Sequence, residues 1–160
     1  MVKYSWIKGN LPKNYKVRQV YGIVFSNDCR IVLRIENNKY KLTGGKPKNN
    51  ELFEETLKRE YIEELNIEID NISYLGYLLV EENDDKYAQV RMIARVDKIN
   101  DNRPDIDNGK LYGRFFSNLE NVKKYLNYSD LAGNTMLDEA IEKAKEIYNF
   151  TSANFMEEKF

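Results

Sequence analysis

An α/β (α+β) domain is the fold class the sequence predicts, and three observations predict it. β-branched and aromatic runs fall in two blocks around one segment of helical period, and two more helical segments close the chain. The order is therefore strands, helix, strands, helices. At 160 residues and 42% apolar, the chain also has the size of one ordinary domain with a sizeable core. We expect a single domain over residues 1–150. The last stretch, TSANFMEEKF (151–160), reads as either a flexible tail or a docking segment.

Residues 1–16 read as a lead-in bearing Tyr and Lys, with no element assigned. QVYGIVF (19–25) and RIVLRI (30–35) are β-branched runs separated by the turn-rich SNDC, which predicts a hairpin. KYKL (39–42) is a third short strand, ending in Gly44-Gly45. The polar KPKNN then leads into a helix that begins near Asn50 or Glu51 and ends at Asn66. Leu57, Tyr61 and Leu65 fall four apart, which makes one apolar stripe along it. NIEID, ISYLGYLLVEE and YAQVRMIARV follow as strands, the last two linked by EENDD. Residues 99–110 form a polar loop with Pro104 and three aspartates, before a strand YGRFFS and a short helix NLENVKKYL. The final helix, TMLDEAIEKAKEIY, spaces Leu137, Ile141, Ala144 and Tyr148 along one face.

Composition removes several function classes. With 25 Lys plus Arg against 26 Asp plus Glu, no long-range field draws the chain to extended nucleic acid or an acidic membrane. No apolar run approaches the roughly 20 residues of a membrane span. The start, MVKYSWIKGN, lacks the apolar core of a signal peptide, and the single Cys29 can form neither an internal disulfide nor a multi-thiolate zinc site. These features set the expectation of a soluble, cytoplasmic protein. Histidine is absent, so Ser-His-Asp and Cys-His nucleophile systems and histidine-bearing zinc motifs are excluded. Carboxylates are left to carry any chemistry.

The acids of the first helix are the sharpest signal. Glu60, Glu63 and Glu64 fall within a narrow arc at about 100° per residue. A solvated face tolerates this, since exposed like charges at i, i+4 cost only about 0.2–0.5 kcal/mol. The frame points elsewhere. Gly45 is followed after five residues by Glu51, after seven more by Arg59-Glu60, then by Ile62 before Glu63-Glu64, and finally by Asn66-Ile67. This segment resembles the Nudix box, without insertion. VYGIVFSNDCRIVLRI and YKLTGG also resemble the family's first hairpin and the approach to its box, so the similarity runs from residue 17 to about 126. Thr43 stands where the family has proline, which loosens the entry turn and removes no functional group. Asn66 replaces the closing glycine, and Asn tolerates the left-handed backbone that ends a helix.

The resemblance implies a Nudix-like α/β/α sandwich with a central mixed β-sheet. It also implies a Mg²⁺- or Mn²⁺-dependent hydrolase that cleaves the pyrophosphate bond of a nucleoside diphosphate linked to another moiety X. Carried onto this chain, Glu60 and Glu64 are metal ligands, Glu63 is a further ligand or the base, and the Gly45 carbonyl is a backbone ligand. Arg59 and Glu51 support the site as a pair. A non-catalytic Nudix-fold nucleotide-binding or regulatory domain is the alternative, and monomer or homodimer both stay open. Outside the box, Lys46 and Lys48 precede a helix N-terminus and could meet phosphate, as could Arg34 and Arg91 on strands. Asp101, Asp105 and Asp107 could supply an extra carboxylate from their loop, with Glu81 and Glu82 as weaker candidates. None of the 12 tyrosines is assigned to a base pocket.

Overall fold

The computed structural model describes residues 1–128 and 130–160. Its elements are β1 (Val2–Ile7), β2 (Lys16–Phe25), β3 (Ile31–Glu36), β4 (Lys39–Lys41), β5 (Thr43–Gly45), α1 (Phe53–Leu65), β6 (Ile67–Glu82), β7 (Asp85–Ile99), β8 (Gly113–Ser117), α2 (Val122–Tyr125), α3 (Leu131–Ile147) and β9 (Glu158–Lys159). The strands form one sheet in the order β1-β6-β7-β2-β3-β8-β9, with β4 beside β3 and β5 beside β2. Because β2 runs parallel to β7 and its other pairings are antiparallel, the sheet is mixed.

Alternation along β2 explains why helices cover both faces. Val20 and Val24 pack into one cluster with Leu57, Tyr61 and Leu65 of α1, whereas Ile23 and Phe25 pack into another with Leu137, Ala140 and Ala144 of α3. The stripe read from the α1 sequence is fully buried. Gly22 lets α1 come close, since a Cβ there would lie 3.0 Å from a Leu57 methyl. The Tyr61 hydroxyl donates to the Gly22 carbonyl at 3.2 Å. These layers are the expected α+β sandwich.

Several local expectations are corrected. The first hairpin is a corner: β2 and β3 pair only at Phe25 and Ile31, because β2 bonds to β7 and β5 while β3 bonds to β4 and β8. The lead-in contains β1, an antiparallel edge strand on β6, with the Trp6 indole donating to Glu139 at 2.9 Å. NIEID and ISYLGYLLVEE join as one strand, β6, whose irregular register against β7 absorbs the polar interruption. Only Asn83 and Asp84, with φ of 49° and 68°, turn that hairpin. α1 starts at Phe53, since Glu51 is engaged by side chains from the helix itself. It ends as expected, with Asn66 left-handed at φ 53°.

The tail is docked. β9 pairs with β8, Phe160 stacks on Phe116 with ring centroids 3.9 Å apart, and Arg30 binds Glu158 at 3.0 Å. The two-residue strand escapes sequence reading because its partners are remote. No helix among the described residues is long and apolar enough to cross a membrane.

Leu57→Ala should cost about 2–5 kcal/mol, because truncating a fully buried side chain loses its burial and leaves a cavity. At about 2–4 °C of Tm per kcal/mol for a chain of this size, thermal denaturation should register a large drop. Ile62→Ala, at 37% exposure on the same helix, should stay within a degree or two of wild type.

Candidate active site

The box acids are held by one guanidinium. Arg59 Nε and Nη2 donate to the two Glu51 oxygens at 2.8 and 3.0 Å, Nη2 also reaches the Lys46 carbonyl at 3.1 Å, and Nη1 reaches Glu60 at 2.8 Å and Glu63 at 3.2 Å. Glu51 further accepts from the Thr56 hydroxyl and the Lys48 N–H. The Arg59 contacts above all hold the Glu51 carboxyl down, at about 2 against an ordinary 4.5. Arg59 is itself driven further from deprotonation, chiefly by Glu51. The loop before α1 is thus fastened to the helix two turns further on.

Gly45 lies against the acids. A Cβ there would sit 2.3 Å from Glu60 Oε1, so the glycine makes room for that carboxylate. At Gly44 the obstruction is backbone, with the Val20 carbonyl oxygen 2.0 Å from a Cβ position. The two adjacent glycines serve different ends: Gly44 allows β5 to close on β2, and Gly45 admits Glu60.

Glu64 faces a different arginine, Arg34 Nη1, at 2.7 Å, and Arg34 also approaches Glu36 and the Tyr112 ring. Burial pushes the Glu64 carboxyl up to about 7; Arg34 opposes the rise while the charges of Glu60 and Asp105 add to it. Glu60 is raised as well, first by burial and then by Glu63 and Asp105 against the pull of Arg59. Asp105 is therefore the loop acid that the fold brings to the cluster. It is 5% exposed, in a turn where its carboxylate accepts from the Asp107 and Asn108 N–H groups.

The remaining candidates separate. Asp107 and Asp101 are exposed on the loop surface. Glu81 and Glu82 are spent along β6 opposite Lys3, Val2 and Lys86, so the structure does not bring them to the cluster. The Lys46 side chain lines a cleft with Lys16, Arg18 and Tyr87, and the Lys48 side chain is exposed. Arg34 and Arg91 line one cavity beside the box. Sequence reading missed Arg103 and Arg114. Arg103 donates to the Ile62 carbonyl and the Asn66 side chain, and buried Arg114 to the Leu65, Asn100 and Phe160 carbonyls. They tie the Asp105 loop and the tail to the end of α1, where cations suit the helix dipole. Arg103 beside Pro104 in a polar loop carried no signal for this.

Glu60, Glu63, Glu64 and the Gly45 carbonyl offer oxygen donors alone, which is the chemistry of Mg²⁺ or Mn²⁺. Burial first, and neighbouring carboxylate charge second, make the ionised forms of Glu60 and Glu64 costly, and a bound cation offsets both, so the donor set fits a cation. Among the described residues no three acidic or sulfur side chains are arranged to enclose an ion. Glu60 and Glu63 share Arg59 Nη1 and Glu64 holds Arg34, so a cation must displace guanidinium contacts.

Glu51→Gln should lower stability at neutral pH by about 2–3 kcal/mol. Because the folded-state carboxyl titrates low, that stabilisation is present above about pH 4.5 and lost as pH falls toward about 2. Urea midpoints for wild type and variant should therefore draw together below about pH 4.5 and meet only near about pH 2. Gly44→Ala should lower Tm sharply, whereas Gly45→Ala should fold with nearly wild-type Tm, moving only the flexible Glu60 carboxylate.

The NUDIX domain family matches residues 16–145. In three dimensions the chain is similar to the Bacillus subtilis pyrophosphohydrolase BsRppH, with a TM-score of 0.67 and 20% identity, covering 88% of this chain and 90% of that one. It is similar to a C. elegans Ap4A hydrolase at TM-score 0.60 and 13% identity, over 82% and 99% of the two chains. A NUDIX hydrolase from Nitrosomonas europaea gives 0.59 and 14% over 80% and 90%. No curated protein matches by sequence. These structural likenesses establish the fold, and the family match spans most of the sequence: the chain belongs to the NUDIX domain family.

Proposed function

We propose that the chain is a metal-dependent hydrolase that cleaves the pyrophosphate bond of a nucleoside diphosphate linked to another moiety X, by attack of water at phosphorus. The observation that carries this reading is the run of charge-coupled acids along one edge of α1, Glu63 acting on Glu60 and Glu60 on Glu64, with Glu60 against Gly45 and buried Asp105 close enough to raise Glu60 and Glu64. Likeness to a pyrophosphohydrolase and an Ap4A hydrolase supports the reaction class. A small-molecule partner in the cytoplasm fits the balanced surface charge.

Glu60, Glu64, Glu63 and the Gly45 carbonyl are the groups that hold Mg²⁺ or Mn²⁺. When bound, the ion neutralises charge developing on the phosphate oxygens and acidifies water. Glu63 or Glu64 accepts the proton of the attacking water. Arg59, anchored on Glu51, keeps Glu60 and Glu63 on one edge, and Arg34 orients Glu64. Lys46 and Lys48, in the loop that Arg59 fixes, are the low-ranking phosphate contacts of this reading.

With a panel of nucleoside diphosphate derivatives, product release should require divalent metal and stop in EDTA. Glu64→Gln should lower kcat by about 10²–10⁴ while folding normally, the range expected for a lost acid–base group. Unchanged turnover in that variant would remove Glu64 from the mechanism. Nucleotides that raise Tm equally with and without metal, and are not cleaved, would favour the non-catalytic alternative.

A further inference from the structure

We propose that the cavity around Arg91 is a phosphate subsite, and that it selects substrates whose group X itself carries a phosphate. The assignment deepens the hydrolase reading and rests on it for its place in the reaction. The cavity holds about 380 Å³ and is lined by Tyr21, Arg34, Lys41, Arg91 and Tyr128 among others. That volume lies in the range of small-molecule sites. Arg34 joins it to the box, since the same side chain binds Glu64 at 2.7 Å. Across the sheet, Tyr21 stands opposite Gly44 on β5 and opposite Arg91 on β7. At about 4.8 Å per strand, the Arg91 backbone lies roughly 10 Å from Gly44.

Arg91 is a cation in want of an anion. It is 6% exposed, and its guanidinium meets neutral groups, the Gln89 carbonyl at 3.5 Å, the Gln89 side chain at 3.3 Å and the Tyr128 hydroxyl. Its buried Nε has no hydrogen-bond partner, and the Tyr21 ring lies 4.7 Å from the guanidinium carbon. No carboxylate of the described residues is paired with it. Arg34 and Lys41 already share Glu36, and Arg34 holds Glu64. Asp130, which lines the adjoining smaller cavity with Arg91, accepts the Gly133 N–H at the start of α3. A buried charge without a partner is costly to fold around, and an oxyanion in the cavity removes that cost. The planar guanidinium fork of Arg91 suits the several acceptor oxygens of a phosphate group.

The test compares a dinucleoside tetraphosphate, in which X is anionic, with a nucleoside diphosphate hexose, in which X is neutral, using the full chain and Mg²⁺. Arg91→Met should raise KM for the tetraphosphate at least about tenfold at unchanged kcat, equivalent to roughly 1.4 kcal/mol. KM for the hexose conjugate should move less than about twofold, and Arg91→Lys should recover part of the loss. Equal effects on both substrates, or none on either, overturn the proposal. A second arm titrates inorganic phosphate into metal-free protein in EDTA. Phosphate should raise the Tm of wild type and not of Arg91→Met; equal stabilisation of both overturns the subsite. If Arg91→Met does not fold, Arg91→Lys decides, and undiminished phosphate binding and tetraphosphate KM in that variant overturn it. Phosphate binding through Arg91 in a chain that cleaves neither substrate sinks the hydrolase reading and leaves the subsite standing.

Discussion

The guanidinium of Arg59 is the constraint on which the arrangement of acids depends. Two unit charges 5 Å apart repel by roughly 3 kcal/mol at an effective dielectric of 20, and α1 crowds its acids onto one edge. Arg59 offsets that crowding by touching Glu51, Glu60 and Glu63 at once. It also takes the Lys46 carbonyl, so one side chain closes the loop, orders the helix entry and spaces the acids. A lysine could not do this, because a point charge lacks the planar fork that both Glu51 oxygens use.

A second set of contacts lies outside the box and fixes its far end. The last carbonyls of α1 are met by Arg103 and Arg114, one from the loop that carries Asp105 and one from β8. Arg114 also takes the Phe160 carbonyl, so the docked tail, the helix terminus and the acid-bearing loop share a single buried cation. Asn66 contributes more than a left-handed turn. Its side chain donates to the Asp101 carbonyl and accepts from Arg103, contacts that glycine could not make. The departure from the box pattern is thus bound up with how this chain positions Asp105.

What was legible in the sequence was what local spacing encodes. The apolar stripe of α1 and its end at Asn66 follow from positions within one segment, and the Glu51–Arg59 pair from the resemblance that this segment carries. Pairings between distant segments were not legible. Nothing in VKYSWI shows that it seeks β6, and nothing in RIVLRI shows that it leaves β2 after one residue pair for β8. The same limit applies at the site. Asp105, Asp101 and Asp107 looked alike in their loop, and only the turn that buries Asp105 distinguishes them. Arg91 read as a strand arginine that could meet phosphate, with nothing to show its burial; opposite Tyr21 and beside Tyr128 it is buried.

The distribution of arginines follows from the same electrostatics. Arg59 and Arg34 sit against carboxylates that lie side by side, and there the surplus is negative. Across Tyr21 the surplus is positive, since Arg91 has no carboxylate and Lys41 and Arg34 already share Glu36. Were the box acids meant only to balance nearby arginines, the economical arrangement would let one of them reach Arg91. The fold instead keeps the two surpluses apart, each partly buried where opposite charge from solvent is least effective. The ligand we propose, a divalent cation with linked phosphates, would satisfy both at once, the cation on the acids and a distal phosphate on the arginine. Neither half of that ligand satisfies the whole site alone.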